Sequence, residues 1–240
     1  MNKTLLLDTD TFLYKTKYYF DTLEKNGEKI EKDFMRDYLI KKIEKMKKDT
    51  STNDILLCYS DINNFRSDIL KSYKYTRNKG YNTSLETIKN TLNSLYENKT
   101  IHNLEADDIL SYFNSLIPEK YIISSTDKDL KQCAGILYNW DKETIETISK
   151  TEGDLFFKKQ CIIGDSADFY SGIPGIGEKR SIEILENCLN SENFWIKLIE
   201  YYEFFGLDYY YLLKIARVAK LLDKELYNLD TGNIKMYSIL

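Results

Sequence analysis

Apolar residues recur along this chain in two rhythms. Apolar runs at about 4–8 (TLLLD) and 54–60 (DILLCYS) read as strands, as do YIISS at 121–125 and the stretches near 135–139 and 143–148. Between the first two, Phe34, Tyr38, Leu39 and Ile43 return at helical spacing and predict a helix over about 33–48. A second helix begins at Glu105, and a short one follows Asp127. The segment 62–103 is polar and rich in Lys, Asn and Tyr. From Thr151 onward the pattern is helical, broken only by the Gly/Pro punctuation of SGIPGIG at 171–177. Strand, helix, strand, helix, strand predicts an α/β fold. Its central, mostly parallel sheet is flanked by helices, with ligands expected at the carboxyl ends of the strands. The expected division is an α/β core over 1–150 and a helical subdomain over 151–240.

Composition narrows the classes. At 240 residues, 42% hydrophobic and 30% charged, the chain is long enough for one large domain or a core with a small appended one. No apolar run is long enough to span a bilayer, and Asp8 interrupts the first one too soon for a signal peptide, so a cytoplasmic protein without a membrane partner is expected. Four cysteines (Cys58, Cys133, Cys161, Cys188) form no C-x-x-C pair and read as reduced core residues. A single histidine, His102, leaves little material for His-based catalysis. The net charge of −4 speaks weakly against a nucleic-acid partner, because setting aside nine acids gathered in one site would leave the remainder positive.

Those acids fall at telling places. Asp8 ends the first strand and Asp61 follows the second; Glu105, Asp107 and Asp108 form LEADD at a helix start. Asp127 and Asp129 follow YIISS, and Asp165 and Asp168 form GDSAD. Taken singly, each set is ordinary capping or turn chemistry. Taken jointly, each group sits where a strand or loop gives way to a helix, the edge at which an α/β sheet presents ligands. Hard divalent cations such as Mg²⁺ take oxygen ligands and keep several waters, so a two-metal phosphodiesterase needs many carboxylates.

Two further segments are not explained by metal binding. FRSDILKSYKYTR (65–77) places Arg66, Lys71, Lys74 and Arg77 among Phe65, Tyr73 and Tyr75, where cations can meet phosphates and a ring can stack on a base. A solvated amphipathic helix explains that segment equally well. GIPGIGEKR (172–180) reads as the hairpin of a helix-hairpin-helix, in which Gly175 and Gly177 permit close backbone approach to a phosphate and Lys179 and Arg180 add charge.

With these motifs assembled, the chain resembles the 5′ nuclease (flap endonuclease) superfamily, most closely the 5′→3′ exonucleases of tailed bacteriophages. The resemblance runs from LLLDTD through Asp61, the FR and YK pairs with Arg77, LEADD and ISSTDKD to IIGDSADFYSGIPGIGEKR, nearly the whole chain. It implies a PIN/FEN-like fold with 62–103 as a short helical arch or clamp. It also implies hydrolysis of phosphodiester bonds near DNA 5′ ends, flaps or nicks, extending to RNA in RNA–DNA hybrids, with two or more Mg²⁺ or Mn²⁺ ions, in phage DNA replication. Asp8, Asp61, Glu105, Asp107 and Asp108 would gather around one metal; Asp127, Asp129, Asp165 and Asp168 would serve the second, partly through water. Lys74 and Arg77 would act on the scissile phosphate, Tyr73 would stack on a base, and Arg66 would join the DNA contacts. The hairpin would grip duplex DNA and hold a K⁺ ion in the manner of relatives. A monomer is expected, in the cytoplasm of the host if the gene is a phage's.

Other families share parts of this pattern. LLLDTDTF alone also fits a haloacid dehalogenase-type phosphatase, with Asp8 as nucleophile and Asp10 as acid/base. That reading requires a longer late acidic motif than GDSAD, lacks a convincing phosphate-binding lysine, and leaves LEADD and the hairpin unused. A PIN-type ribonuclease shares the acidic core but not the hairpin, and a catalytically inactive DNA-binding protein would have no need of clustered carboxylates that repel DNA. Asp10 is expected to be a cap or supporting group.

Overall fold

The computed structural model describes residues 3–75 and 83–240. The chain divides into two units: Met1–Asn63 with Lys79–Ser149, and Asn64–Asn78 with Lys150–Leu240. Arg77 lies outside the described residues.

The first unit is built on a six-stranded sheet. Numbered in chain order, its strands are β1 (Thr4–Asp8), β2 (Asp54–Tyr59), β3 (Asn98–Thr100), β4 (Tyr121–Ser124), β5 (Gly135–Asn139) and β6 (Thr144–Ile148), arranged β3-β2-β1-β4-β5-β6. All neighbours are parallel except the β5–β6 hairpin at one edge. Leu5, Leu6 and Leu7 are wholly buried because β1 is central and covered on both faces, which is why it reads as an unbroken apolar run. β6 runs back after the short turn at 140–143 and leaves most of its side chains exposed, as an edge strand does.

Register places the functional edge. Leu5 pairs with Ile55 on one side and Ile122 on the other, and Asp8 lies opposite Cys58. The carboxyl ends of β1, β2 and β4 therefore finish side by side, at Asp8, Ser60–Asp61 and Ser125–Asp127.

Helices cover the faces of this sheet. The helix expected over 33–48 is α2 (Lys32–Thr50), burying Leu39, Ile43, Met46 and Thr50. α1 (Thr9–Lys25) is a helix that the apolar pattern does not announce. Its buried stripe, Phe12, Thr16 and Phe20, contains a threonine, and its composition of Thr, Tyr and Phe has middling helix propensity. Tertiary burial and the Asp8 cap decide it.

The expected arch over 62–103 is corrected at its far end. α4 (Thr83–Leu95) buries Ile88 and Leu92 in the same core as α1 and α2, and β3 joins the sheet at its edge. Both belong to the α/β unit because an apolar stripe and a free sheet edge are each satisfied there. The near end, 64–78, falls in the second unit.

That second unit comprises α3 (Arg66–Ile69), α6 (Lys150–Ile163), α7 (Glu178–Leu189), α8 (Phe194–Phe204) and α9 (Tyr209–Ala219), packed around Cys161, Ile173, Ile176, Leu198, Tyr202 and Leu212. α5 (Ala106–Leu116) belongs to the first unit and opens on LEADD. Within the expected all-helical stretch lies a two-stranded antiparallel ribbon, β7 (Gly164–Asp165) and β8 (Tyr170–Ser171). Asp165 and Asp168 therefore sit in and beside a tight ribbon and not at a helix start. The carboxyl end of α6 is closed by tertiary partners: Ile173 and Gly172 amides donate to the Ile162 and Ile163 carbonyls at 2.9 and 3.2 Å, and the Tyr202 hydroxyl donates to the Cys161 carbonyl at 2.5 Å.

Cys58, Cys133, Cys161 and Cys188 are all free and buried. Among the described residues no helix is long and apolar enough to cross a membrane.

Candidate active site

Asp8 is the N-cap of α1. Its Oδ1 accepts the Thr11 amide at 3.2 Å and its Oδ2 accepts the Thr11 and Ser125 hydroxyls, each at 2.6 Å. Burial raises the Asp8 pKa; the hydroxyls oppose the rise, and the charge of Asp127 adds to it. Ser125 is the hub of this edge, since its Oγ also accepts the Asp127 amide at 2.9 Å. Asp127 in turn caps the following 3-10 turn by accepting the Asp129 amide at 2.9 Å. The hydroxyl run in YIISST was the available signal for Ser125.

Asp61 is held differently. Its carboxylate accepts the amides of Asn103 and Ile62, both at 2.8 Å, and lies 3.0 Å from His102 Nδ1. The Asn103 amide is the largest cause of its lowered pKa, with Ile62 and His102 adding to it. The lone histidine is thus a neighbour of a candidate ligand. Its place in IHNLEADD, directly before the acidic helix start, was the clue.

At that start, Glu105 and Asp108 form a reciprocal capping box across the first turn of α5. Both are buried, Asp108 completely, while Asp107 is half-buried. EADD therefore caps α5 in the fold, and three carboxylates are held in one helical turn.

Asp10 takes no part beside Asp8 of the kind a phosphatase acid/base would take. Its Oδ2 accepts the Ser60 amide at 2.9 Å, tying α1 to the end of β2. Burial pushes its pKa up to about 6 against the opposing Ser60 hydrogen bonds, with the charge of Asp8 adding to the rise. Because the folded-state value lies above the ordinary one, the ionised form is the disfavoured one. Its cost to stability is absent below about pH 4, grows between pH 4 and 6 and is complete above that. Asp10→Asn keeps an acceptor and removes the charge. In EDTA its stability relative to wild type is expected to rise across that window by up to about 3 kcal/mol, the ionisation cost that only the wild type carries, since the weakened Asn hydrogen bond is the same at every pH. Urea unfolding of both proteins from pH 4 to 7 checks this; parallel curves would refute it.

In the second unit, Asp165 and Asp168 are both buried, and Asp165 Oδ1 accepts the Ala167 amide at 2.7 Å. Lys74, in a left-handed conformation (φ 49°), donates its amide to the Asp168 carbonyl at 3.0 Å and brings Nζ to 3.3 Å from Asp168 Oδ2.

Two expected DNA contacts are corrected here. The Tyr73 ring is buried against Tyr170, with its hydroxyl 3.2 Å from Asp168 Oδ2, so it offers no face to a base. Arg66 is 1% exposed, and donates from Nε and Nη2 to the Val218 and Lys220 carbonyls at 2.8 and 2.9 Å. It closes the carboxyl end of α9, where a guanidinium meets the helix dipole and orphan carbonyls together. Tyr75, by contrast, is well exposed.

The hairpin at 172–177 sits between α6 and α7. Ile173 and Ile176 anchor it in the core, Gly175 has φ +70°, and Gly177 caps α7 with its surroundings open. Lys179 and Arg180 are exposed on the first turn of α7.

The donor set is all oxygen and anionic, and burial and mutual charge already disfavour ionised Asp8, so its chemistry fits a hard cation. Among the described residues no three acids converge as a ready cage.

The 5′-3′ exonuclease, N-terminal resolvase-like domain family matches residues 3–159. The chain belongs to this 5′-3′ exonuclease family. It is 27% identical over 209 residues to a 5′-3′ exonuclease of Buchnera aphidicola subsp. Schizaphis graminum, covering 80% of this chain and 72% of the relative. An exodeoxyribonuclease of Enterobacteria phage T3 is 31% identical over 155 residues, 58% of this chain and 49% of its own. The fold is that of the bacteriophage T5 flap endonuclease solved with DNA and metal ions, with a TM-score of 0.74, 17% identity, and 92% of this chain and 89% of that one covered. The catalytic core of Rad2 with DNA substrate follows at 0.54 and 13% identity, covering 100% and 80%.

Proposed function

We propose that this chain is a divalent-metal-dependent 5′→3′ exonuclease and flap endonuclease, hydrolysing phosphodiester bonds near DNA 5′ ends, with RNA in RNA–DNA hybrids as a further substrate. The observation that carries the reading is the alignment of Asp8, Asp61, the LEADD turn and Asp127 along the carboxyl edge of a parallel sheet, in a member of the 5′-3′ exonuclease family. Asp8, Asp61, Glu105, Asp107 and Asp108 would hold one Mg²⁺ or Mn²⁺; Asp127, Asp129, Asp165 and Asp168 would serve a second. Bound there, the cations supply a more acidic attacking water and neutralise charge on the scissile phosphate and the leaving oxygen.

The chain's own groups set the stage for that chemistry. Ser125 and Thr11 hold the Asp8 carboxylate in one orientation, and Ser125 links it to the Asp127 amide. His102 and two backbone amides fix Asp61. The Lys74 ammonium, and with it Arg77, stabilise negative charge on the phosphate. The hairpin amides, with Lys179 and Arg180, bind the duplex backbone without reading sequence, and a K⁺ ion at the hairpin fits the same role. The protein acts as a monomer in the cytoplasm.

A time course on 5′-labelled flap, nicked, blunt and single-stranded substrates, DNA and RNA side by side, tests the proposal. With Mg²⁺, cleavage near 5′ ends of DNA is expected, and EDTA is expected to stop it while gel-shift binding persists. Cleavage that survives EDTA, or hydrolysis of a small phosphomonoester in place of DNA, would overturn it.

A further inference from the structure

Lys74 carries the working cation of the proposed site, yet its surroundings are unusual for a lysine that serves substrate. Its side chain is only 13% exposed, and its ammonium lies 5.0 Å above the Tyr73 ring and 3.3 Å from Asp168 Oδ2. The same oxygen accepts the Tyr73 hydroxyl at 3.2 Å. Tyr73 is itself immobilised, 5% exposed and stacked on Tyr170 at 6.4 Å between ring centroids. The backbone reinforces the arrangement, since the Lys74 amide donates to the Asp168 carbonyl at 3.0 Å from a left-handed residue. A non-glycine residue in that conformation stores strain that surrounding contacts must offset. Upstream, Arg66 locks the same segment to the end of α9.

We propose that Tyr73 is a positioning residue for Lys74, its phenol holding the Asp168 carboxylate so that Oδ2 fixes the Lys74 ammonium over the Tyr73 ring. Asp168 is then the counter-charge of Lys74 in addition to any part it takes in cation binding. A long lysine side chain loses much rotamer freedom when it acts as a fixed point charge, and the clamp meets that cost before substrate arrives. The role differs from base stacking, which needs the ring and not the hydroxyl. It rests on the nuclease reading only for its effect on turnover.

The test separates the clamp from that reading. In EDTA, Lys74 is acetylated competitively with acetic anhydride, using Lys71, whose side chain is 84% exposed, as internal reference, with peptide mass spectrometry as the readout. Wild-type Lys74 is expected to react several-fold more slowly than Lys71. Tyr73→Phe, which keeps the buried ring, is expected to raise the relative reactivity of Lys74 by up to about tenfold, the worth of one net hydrogen bond, and Asp168→Asn is expected to raise it further. With Mg²⁺ and 5′-labelled DNA, Tyr73→Phe is expected to lower kcat by a similar factor and to leave KM within about twofold. Lys74 reactivity unchanged in Tyr73→Phe overturns the clamp, whatever Asp168→Asn does. So does a Tyr73→Phe protein that cleaves like wild type while Tyr73→Leu loses DNA affinity, the signature of stacking. Altered reactivity in a protein that never cleaves DNA would support the clamp and sink the nuclease reading instead.

Discussion

Asp8→Asn is expected to lower DNA cleavage with Mg²⁺ by at least about a thousandfold, because losing one carboxylate from a divalent-cation site removes several kcal/mol of transition-state stabilisation. The same substitution is expected to leave the metal-free fold as stable as wild type or more so. Asp8 is buried and its charged form is already disfavoured there, whereas an Asn amide oxygen still accepts the Thr11 amide and its NH2 donates to the Ser125 and Thr11 hydroxyls. The two effects have opposite signs, and no purely structural role for Asp8 gives that pair. Single-turnover cleavage and urea unfolding in EDTA measure them. Asp10→Asn is the control: its carboxylate is turned to the Ser60 amide, so cleavage is expected to fall by less than about tenfold, the worth of one weakened hydrogen bond. Equal losses in the two variants would return Asp10 to the chemistry that a phosphatase would give it.

The largest stability effect is expected at two glycines where the acidic ribbon meets the hairpin. A Cβ on Gly172 would lie 2.2 Å from the Ile162 carbonyl oxygen, and one on Gly164, already at φ +80°, would lie 2.4 Å from the Gly172 amide. Both contacts are backbone against backbone, with no flexible side chain to yield. Gly172→Ala and Gly164→Ala are therefore expected to destabilise the helical unit by about 3 kcal/mol or more, the sum of steric overlap and, for Gly164, left-handed strain. Gly177→Ala is the contrast. A Cβ there meets nothing within 4 Å and the backbone is extended, so stability is expected to be unchanged. If the Gly177 region approaches a phosphate, that Cβ stands in the way, and DNA affinity is expected to fall by about tenfold at low salt, about one charge-assisted hydrogen bond. Thermal unfolding and salt-dependent binding of the three variants separate the glycines that shape the hairpin from the one that leaves it open.

The pattern of apolar runs was enough to mark β1, β2, β4 and β5, since a strand inside a covered sheet must be apolar over most of its length, and the alternation of TIETI was enough for the exposed edge strand β6. It was enough for α2, whose stripe has ordinary helical spacing. It did not reveal α1, where Thr16 interrupts the stripe and aromatic and threonine residues weaken the local preference, or α4, hidden in a segment that looks polar as a whole. Helix propensity is a weak prior there, and burial against the sheet overrides it.

For the candidate site, the sequence by itself determined which acids stand at strand ends, because strand ends and a parallel order follow from local pattern. It also determined the order of motifs that links this chain to the 5′-3′ exonuclease family. Only the tertiary structure decided what each polar group touches. Ser125 became the link between Asp8 and Asp127, His102 the neighbour of Asp61, and Asp10 a brace to β2. Arg66 and Tyr73, which look like surface cation and stacking ring in a basic segment, went inward to α9 carbonyls and to Asp168. Spacing along a chain reports which residues share a face, whereas a buried hydrogen bond is made between residues brought together from distant positions. Burial leaves a polar side chain no choice but to find such a partner.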